Sequence, residues 1–431
     1  MTFGYFVKSA PDHNDLAQVS RLGKGWNSHK EREKKAKAVM LSRGAFARFL
    51  SVVGNAALGL LMGLCTTGLG SANAQESKTI IFDAPGADLT PGDYNGTYAS
   101  GINGLGVIAG SYQGVDTVFH GFIRRPDGQF TTFEAPGADT TAGSYNGTSP
   151  SSINDLGVIT GSFYDANGLA HGFLRTADGR FTTFDVPGAG ENGTFPIGIN
   201  LEGAVVGYAL DSNDLFHAFL RTSYGKIYAF VGPSSCDTGT STGCYGNEVT
   251  AINLWGISVG NFMDNSGNFV GHGLIRYLNG TLQTFEVPGA GTGTDQGTSC
   301  PGCASGLNQW GAIAGTYTDS NNVYHGFLRS PKGEFTTFDA PGAGTESYTG
   351  TGCPSDCPTS LNDSGAIMGI YIDSNSVYHG YLRTPDGKIV TVDPSGSDFT
   401  WASGMNNLDA ITGYYLDANN VYHGFLRTLD R

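Results

Sequence analysis

The sequence predicts an all-β fold: a seven-bladed β-propeller built from four-stranded blades. Three observations support this prediction, namely a unit of about fifty residues that occurs seven times, four strand-like segments in each unit, and chain ends that complement each other. With 39% hydrophobic and 14% charged residues in a chain of 431, a large core can be buried. The 66 glycines indicate many turns and close backbone approaches.

The repeat is defined by one histidine, which is followed in most copies by glycine and phenylalanine. Successive histidines lie 51, 46, 55, 53, 54 and 44 residues apart, and an asparagine after a short apolar stretch precedes each one. The histidines are His120, His171, His217, His272, His325, His379 and His423. The asparagines are Asn103, Asn154, Asn200, Asn253, Asn308, Asn362 and Asn406. Seven units of this length are typical of a propeller, and a β-solenoid is the alternative.

Four extended segments are recognisable within each unit. In the fifth unit they are ASGLN, GAIAGTY, VYHGFLR and EFTTFDAP, separated by turn-forming sequences. Their β-branched and aromatic content favours strands, and no sustained helical period follows residue 74. An isolated fourth strand, about 78–85, precedes the first unit, while the last unit, about 401–428, lacks one. Pairing the two would close the ring and remove two exposed sheet edges, which a solenoid would not require.

The chain divides into three predicted regions. Residues 1–39 form a basic polar leader or result from a mis-assigned start, because Met40 is a plausible first residue. Residues 40–74 are interpreted as a signal peptide, and residues 75–431 as a single propeller domain with seven repeats. This organisation predicts a secreted or periplasmic bacterial protein.

The signal-peptide interpretation depends on an apolar run, 49–70, that follows basic residues. Ala72 and Ala74 provide the small residues of a cleavage site after position 74. The apolar run is also long enough to span a bilayer, so an uncleaved signal anchor is the alternative. No other stretch of the chain could cross a membrane, so we expect no membrane span after cleavage.

The charge of the chain bears on its partners. The formal net charge is −14, and the first 74 residues carry ten Lys or Arg and four Asp or Glu, which leaves −20 for the remainder. Such an acidic surface argues against nucleic acid or an anionic membrane as a binding partner. It favours cations and basic or neutral ligands, and we expect a monomer that binds a glycan or a protein.

Six of the seven cysteines follow residue 74, as three close pairs. These are Cys236 with Cys244, Cys300 with Cys303, and Cys353 with Cys357. In an exported chain this spacing favours three local disulfides. The CPGC pair alone is also compatible with a redox motif or half of a zinc site, but it has no helix signal after it and the spacing differs among the pairs.

The turn between the third and fourth strands fixes a register. Sequences such as TPDGK suit a hairpin in which Thr384 pairs with Lys388, and counting back places His379 opposite Asp393. The same count predicts the pairs His120 with Glu134, His171 with Asp185, His272 with Glu286, His325 with Asp339, and His423 with Asp83. Only His217 meets an apolar residue, Val231.

Two interpretations of these histidine–carboxylate pairs compete. In the first, imidazole and carboxylate satisfy each other inside the fold, since burying either group alone is costly. In the second, they form a ring of acid/base or metal sites. Seven equivalent copies favour the structural role, and no metal ligand and no catalytic residue is predicted.

The repeat unit resembles the HAF repeat, a tandem extracellular repeat family of bacterial proteins. The letters HAF stand at His217, Ala218 and Phe219, and most other copies read HGF. The resemblance covers the chain after residue 74. It implies export and a repeat fold, and it assigns no catalytic residues.

A ligand is expected on the face that carries the longer, variable connections and the cysteines. Aromatic residues there could stack on sugar rings: Tyr94, Tyr98, Tyr145, Phe195, Tyr245, Tyr348 and Trp401. The alternative is that these loops pack down on their own aromatic residues. The same face carries aspartates in turns that resemble half of a calcium loop: Asp165, Asp211, Asp264, Asp319, Asp373 and Asp417. Hairpin chemistry accounts for these turns, so no cofactor is predicted, although the pattern leaves room for a calcium ion.

Three classes of function follow from these observations. The first is an exported binding or interaction scaffold for a glycan or protein. The second is a propeller enzyme, such as a metal-dependent lactonase or a polysaccharide lyase, with a site near the axis on the disulfide-bearing face. The third is a purely structural surface protein. The sequence contains no nucleophile elbow, metalloprotease helix motif or phosphate loop, and it does not decide whether the protein is an enzyme.

Overall fold

The computed structural model describes residues 77–429, apart from 93, 191, 234–245, 267 and 299–304. All of these belong to one unit of the chain, Ala74–Arg431. Within them, no helix has the length and apolar character of a membrane span. The leader (1–39) and the signal peptide (40–74) lie outside the described residues, as do Cys236, Cys244, Tyr245, Cys300 and Cys303.

The described residues form an all-β fold in which strands pair antiparallel in groups of four. Each group follows one sequence repeat. Groups one to three are β2 (Gly96–Ile102), β3 (Ile108–Gln113), β4 (Phe119–Arg124) and β5 (Phe130–Phe133); β6 (Gly147–Ile153), β7 (Ile159–Tyr164), β8 (Ala170–Arg175) and β9 (Phe181–Phe184); β10 (Thr194–Ile199), β11 (Val205–Leu210), β12 (Phe216–Arg221) and β13 (Ile227–Phe230).

The remaining strands continue the same pattern. Groups four to six are β14 (Asn247–Ile252), β15 (Ser258–Met263), β16 (Gly271–Arg276) and β17 (Leu282–Phe285); β18 (Gly306–Leu307), β19 (Ile313–Thr318), β20 (Tyr324–Arg329) and β21 (Phe335–Phe338); β22 (Ser360–Leu361), β23 (Ile367–Ile372), β24 (Tyr378–Arg383) and β25 (Ile389–Thr391). Group seven is β26 (Ser397–Met405), β27 (Ile411–Asp417), β28 (Tyr422–Leu429) and the N-terminal β1 (Ser77–Phe82).

The two ends of the chain meet in group seven. β1 pairs antiparallel with β28, with Phe82 opposite Gly424 and Ser77 opposite Leu429. The predicted pairing of the first strand with the last unit is therefore observed. It gives group seven its fourth strand and covers an edge of β28 that would otherwise expose unpaired backbone groups.

Several neighbouring groups are joined by short parallel contacts, and two of these lie at the start of a first strand. Gly96 pairs with Tyr422 and Gly147 pairs with Phe119, which connects groups seven, one and two into one twelve-stranded sheet. At Gly96 the backbone φ is 123°, and a Cβ would stand 1.9 Å from the Tyr422 carbonyl oxygen. Only glycine fits this contact, which accounts for the glycine that opens the first strand.

The asparagine that recurs in every unit takes part in a cycle of hydrogen bonds between groups. Asn154 Oδ1 accepts from the backbone N–H groups of Leu156 and Val158, and Asn154 Nδ2 donates to the carbonyl of Asn200 at 2.9 Å. The same amide-to-carbonyl bond links each asparagine to the next, and Asn406 donates to Asn103 at 2.9 Å. These side chains are buried, so the cycle satisfies polar groups that would be costly to leave unpaired.

Aromatic and arginine side chains fill the space between groups. In five of the seven repeats the glycine after the histidine makes room for a phenylalanine on the fourth strand: a Cβ at Gly121 would stand 2.6 Å from the ring of Phe133. Phe133 then contacts Phe173 of the next group, and the Arg175 guanidinium lies 4.8 Å from the Phe133 ring centre. Such cation–π contacts recur at five further group boundaries.

Candidate functional site

The six predicted histidine–carboxylate pairs are all in contact, in the predicted register. His379 Nδ1 lies 2.6 Å from Asp393, and His423 Nδ1 lies 2.9 Å from Asp83, 340 residues away in the chain. The corresponding distances in the other four pairs run from 2.5 to 2.8 Å: His120 with Glu134, His171 with Asp185, His272 with Glu286, and His325 with Asp339.

A second carboxylate, which the register does not predict, approaches the other nitrogen of each ring. It belongs to the aspartate turn that precedes the histidine: His379 Nε2 lies 3.6 Å from Asp373, and His272 Nε2 lies 3.4 Å from Asp264. His217, which faces Val231, has only this partner among the described residues, with 3.0 Å between Nε2 and Asp211. We call each histidine with its carboxylates a His cluster.

The imidazole rings of the His clusters find their packing and hydrogen-bond partners within their own group. Each ring is half-buried, and in six clusters it packs on an aromatic residue of the second strand, as Tyr371 does on His379 at 4.8 Å between ring centres. The pKa values of His120, His272 and His325 are raised, chiefly by the hydrogen bonds to Glu134, Glu286 and Asp339.

The turn aspartates also accept hydrogen bonds from the backbone of their own loops. Asp319 Oδ1 accepts from the backbone N–H groups of Asn321 and Val323, and Asp373 does the same with Asn375 and Val377. Among the residues that the structure describes, no group of three or more His, Cys, Asp or Glu side chains is arranged to hold a metal ion.

An inner cavity of about 600 Å³ lies where the first strands of all seven groups meet. One end of the cavity has an apolar lining, made by the residue that stands directly before each repeat asparagine: Ile102, Ile153, Ile199, Ile252, Leu307, Leu361 and Met405. Hydroxyl side chains line it further along: Ser100, Ser151, Thr250, Ser305, Thr359 and Ser403. Thr359 Oγ1 and Ser403 Oγ are buried and have no hydrogen-bond partner within the described part of the chain.

The other end of the cavity, which we call the mouth, is formed by a layer of cross-strand pairs that varies between groups. In groups three and seven the pairs are aromatic, Phe195 with Tyr208 and Trp401 with Tyr414. In group two the pair is Ser149 with Ser162, and in group one Tyr98 faces Ser111. In group four the same position holds Glu248 opposite Asn261.

Glu248 is one of two carboxylates among the described residues that line the inner cavity. It is 4% exposed and accepts a hydrogen bond of 2.7 Å from Asn261 Nδ2. The second, Asp356, is accessible to solvent and belongs to the connection before β22. Neighbouring protein atoms partly desolvate its carboxyl group, although the side chain remains accessible, and this raises the pKa of Asp356.

A disulfide fixes the loop that carries Asp356. Cys353 and Cys357 are bonded, with 5.7 Å between their Cα atoms, so one of the three predicted local disulfides is present. Asp356 lies between the two cysteines with a left-handed φ of 56°. The bond therefore restrains the backbone on both sides of the carboxylate.

Aromatic hydroxyls stand close to these carboxylates. Burial, and then the charges of Glu248 and Asp356, raise the pKa of Tyr208, while burial, Tyr422 and Asp356 raise that of Tyr414. Both phenols therefore stay protonated at neutral pH and can donate hydrogen bonds. The mouth thus combines phenol donors, aromatic faces and two acidic groups.

The aromatic residues predicted to bind a ligand lie in different places in the structure. Tyr98 and Trp401 both contact Tyr414, at 5.0 and 6.3 Å between ring centres, and Phe195 stacks on Tyr208 at 5.1 Å. These three belong to the layer around the mouth. Three others are exposed at separate loop tips with positive φ and do not converge: Tyr94, Tyr145 and Tyr348. Tyr245 is outside the described residues.

Comparison with known proteins finds similar solved structures whose sequence identity to this chain is low. No protein-family model matches the chain, and no curated protein matches its sequence. The structure of a PL25 ulvan lyase bound to -[GlcA(1-4)Rha3S]- is 12% identical, covers 80% of this chain and 95% of that chain, and has a TM-score of 0.48. The BP39L lectin from Burkholderia pseudomallei is 8% identical, with 81% and 96% covered and a TM-score of 0.44.

A third similar structure is AofleA from Arthrobotrys oligospora. It is 12% identical, with 76% of this chain and 92% of that chain covered, and its TM-score is 0.42. All three TM-scores are below 0.5, so these likenesses carry no argument about the ligand. The ligand is inferred below from the residues of the inner cavity.

Proposed function

We propose that the seven four-strand groups are the blades of a closed seven-bladed β-propeller whose axial channel is the inner cavity. Two observations support closure. The hydrogen bond from Asn406 to Asn103 returns the asparagine cycle to its start, and β26 packs against β2. The pairing of β1 with β28 then completes the last blade.

We propose further that the protein is an exported member of the HAF-repeat family that binds a glycan in the inner cavity. The single observation that carries this proposal is the composition of the cavity: hydroxyls along the wall and aromatic residues at the mouth. Export is supported by the signal-like segment and by the disulfide, because structural disulfides persist in oxidising compartments. We expect the protein to act as a monomer in the periplasm or outside the cell.

The chemistry of the cavity suits a short oligosaccharide. Sugar rings present C–H faces that pack on Trp401 and Tyr414, and hydroxyls that pair with side chains of the wall. The volume of about 600 Å³ lies within the usual range for small-ligand sites.

The test is titration calorimetry with defined oligosaccharides on the exported protein and two tryptophan variants. Trp401→Ala removes the aromatic face at the mouth and should weaken binding at least tenfold. Trp310→Ala is the matched control, because Trp310 is 59% exposed and does not line the cavity. Equal loss of affinity in both variants, or no binding of any glycan by the folded protein, would contradict the proposal.

An enzyme remains the second candidate, and the observation that favours it is the placement of the two carboxylates. Glu248 and Asp356 lie at the mouth on the disulfide-bearing side and are not repeated in every group. A carboxyl group with a raised pKa can act as an acid or base, as a lyase or lactonase would require. Chromatography of polysaccharides and lactones incubated with the protein and with Asp356→Asn would detect turnover that depends on this residue.

A further inference from the structure

One position in the wall of the inner cavity differs in kind from its equivalents. The residue three places before the repeat asparagine lines the cavity in every group, and in six groups it is a serine or a threonine. In group three it is Ile197. Group three therefore presents an aliphatic side chain at the level where the other groups present a hydroxyl.

The local backbone explains why this side chain faces the cavity. The pairing of β10 with β11 shifts between Pro196 and Gly198, so Ile197 is the extra residue of a β-bulge. Bulges at the same point occur in four other groups, at Ser100, Ser151, Thr250 and Ser403. A bulge leaves its extra residue out of the strand pairing and redirects the side chain, and this geometry recurs next to functional sites.

Ile197 gives up contacts that the hydroxyl makes in other groups. In group two, Ser151 Oγ donates a hydrogen bond of 2.7 Å to the carbonyl of Pro196 in the next group. In group four, Thr250 Oγ1 accepts one of 2.9 Å from the backbone N–H of Ser305, again in the next group. An aliphatic side chain can form neither bond. The framework thus favours serine or threonine at this position, and the isoleucine is better explained by what enters the cavity.

Ile197 joins the apolar end of the cavity to its mouth. Ile199 belongs to the apolar end, and Tyr208, on the adjacent strand, belongs to the mouth layer. We call these three residues the apolar strip. Each lines the cavity and is half-buried, so its side chain keeps surface that a ligand can reach. Group three therefore offers aliphatic or aromatic surface at every level of the cavity, beside the hydroxyls of the other groups.

We infer that the inner cavity takes an amphipathic glycan, namely a sugar that carries an alkyl or acyl chain. This inference rests on the proposed function, because it specifies the class of ligand for the same site. The chain lies along the apolar strip and reaches the apolar end of the cavity, where it displaces water from aliphatic side chains. The sugar lies against the wall hydroxyls and the aromatic residues of the mouth.

The test uses three probes that share one sugar: methyl, butyl and hexyl β-D-glucoside. Titration calorimetry is carried out below the concentration at which the hexyl compound forms micelles. Each methylene group that leaves water should raise the affinity about fourfold. We expect the butyl compound to bind at least tenfold more tightly than the methyl compound, and the hexyl compound to bind more tightly still. The heat-capacity change of binding should become more negative with chain length.

Two isoleucine variants locate the alkyl chain. Ile197→Thr restores a hydroxyl that most groups carry at this position, so it should fold normally. It should lower the affinity for the butyl and hexyl compounds at least threefold and leave that for the methyl compound unchanged. Ile81→Thr is the matched control, because Ile81 is 41% exposed on β1 and does not line the cavity. It should leave all three affinities unchanged.

The outcomes separate this inference from the proposed function. Equal affinities for the three glucosides, or binding of an oligosaccharide but of no glucoside, would overturn the inference alone. A gain with chain length that persists in Ile197→Thr would also overturn it, because the chain would then lie elsewhere. Failure of the protein to bind either the glucosides or any oligosaccharide would overturn the proposed glycan function as well.

Discussion

The His clusters and the mouth of the inner cavity are built on the same repeat but differ in how far they follow it. Every group has a histidine next to a turn aspartate, and six of seven also have a fourth-strand carboxylate. At the mouth, the equivalent positions hold aromatic residues, hydroxyls and one carboxylate. The residues that hold the strands together are therefore repeated from group to group, whereas the residues at the mouth differ.

The physical reason lies in what each position must satisfy. A His cluster joins the third strand, the fourth strand and a turn of one group, so the same partners are needed wherever the unit recurs. Four residues of the mouth layer, Tyr208, Glu248, Trp401 and Tyr414, line a space shared by all seven groups, and such a residue is not required to match its equivalents. The unrepeated residues are therefore the ones that can specify a ligand.

The largest expected effect on stability comes from breaking the asparagine cycle, which belongs to the repeated part. Asn154→Ala removes one donor and leaves the N–H groups of Leu156 and Val158 without their acceptor. We expect the free energy of unfolding to fall by about 2–4 kcal/mol, measured by urea denaturation. Asn213→Ala, at an exposed turn, should change it by less than about 0.5 kcal/mol. Similar losses in both variants would show that the cycle does not contribute to stability.

The disulfide at the mouth should affect binding more than folding. Replacing Cys353 and Cys357 with serine opens a loop of only a few residues, so the expected loss of stability is at most about 2 kcal/mol. Asp356 would lose its restraint, and the affinity of the inner cavity for its glycan should fall about tenfold. Denaturation and calorimetry on the same double variant separate the two effects, and unchanged affinity would contradict this role of the loop.

The His clusters should give stability a characteristic pH dependence. Because the pKa values of His120, His272 and His325 are raised in the folded protein, the folded state binds these protons more tightly than the unfolded chain. Their contribution is complete below about pH 6.5, the ordinary histidine value, and is lost as the pH rises through the folded values. Solvent screening limits each pair to about 0.5 kcal/mol.

A single substitution isolates one of these clusters. Stability measured between pH 6 and 9 should fall less steeply with pH in His272→Gln than in the unaltered protein, because one raised pKa is gone. His217→Gln is the matched comparison, since Val231 stands in place of a fourth-strand carboxylate and Asp211 is the one carboxylate beside His217 in the described part of the chain. If stability instead rose with pH over this interval and His272→Gln did not alter it, the clusters would not act as described.

Much of the fold could be predicted from the sequence because hairpin turns set register locally. The TPDG-type turn fixes Thr384 opposite Lys388, and from there His379 must face Asp393. The same logic places Asp83 beside His423 once the chain ends are matched. The asparagines were visible as a pattern, but their bonds connect different groups, and no local rule gives such contacts.

The candidate site was predicted less well than the fold. Sequence reasoning favoured aromatic residues in the connections, and of these only Tyr98, Phe195 and Trp401 belong to the mouth layer. It missed Glu248 and Asp356, because alignment on the repeated histidine emphasises what the units share. The available signal was the departure of Gly-Asn-Glu at 246–248 from the Gly-Thr openings of five of the other six units.

The division between a repeated framework and an unrepeated site is tested most directly by comparing Trp401→Ala with His379→Gln in calorimetry with a glycan that the unaltered protein binds. The two changes remove an aromatic side chain from the mouth and an imidazole from a His cluster, respectively. We predict that Trp401→Ala loses at least tenfold in affinity, while His379→Gln binds normally and is less stable. Loss of binding in His379→Gln together with normal binding in Trp401→Ala would contradict the account.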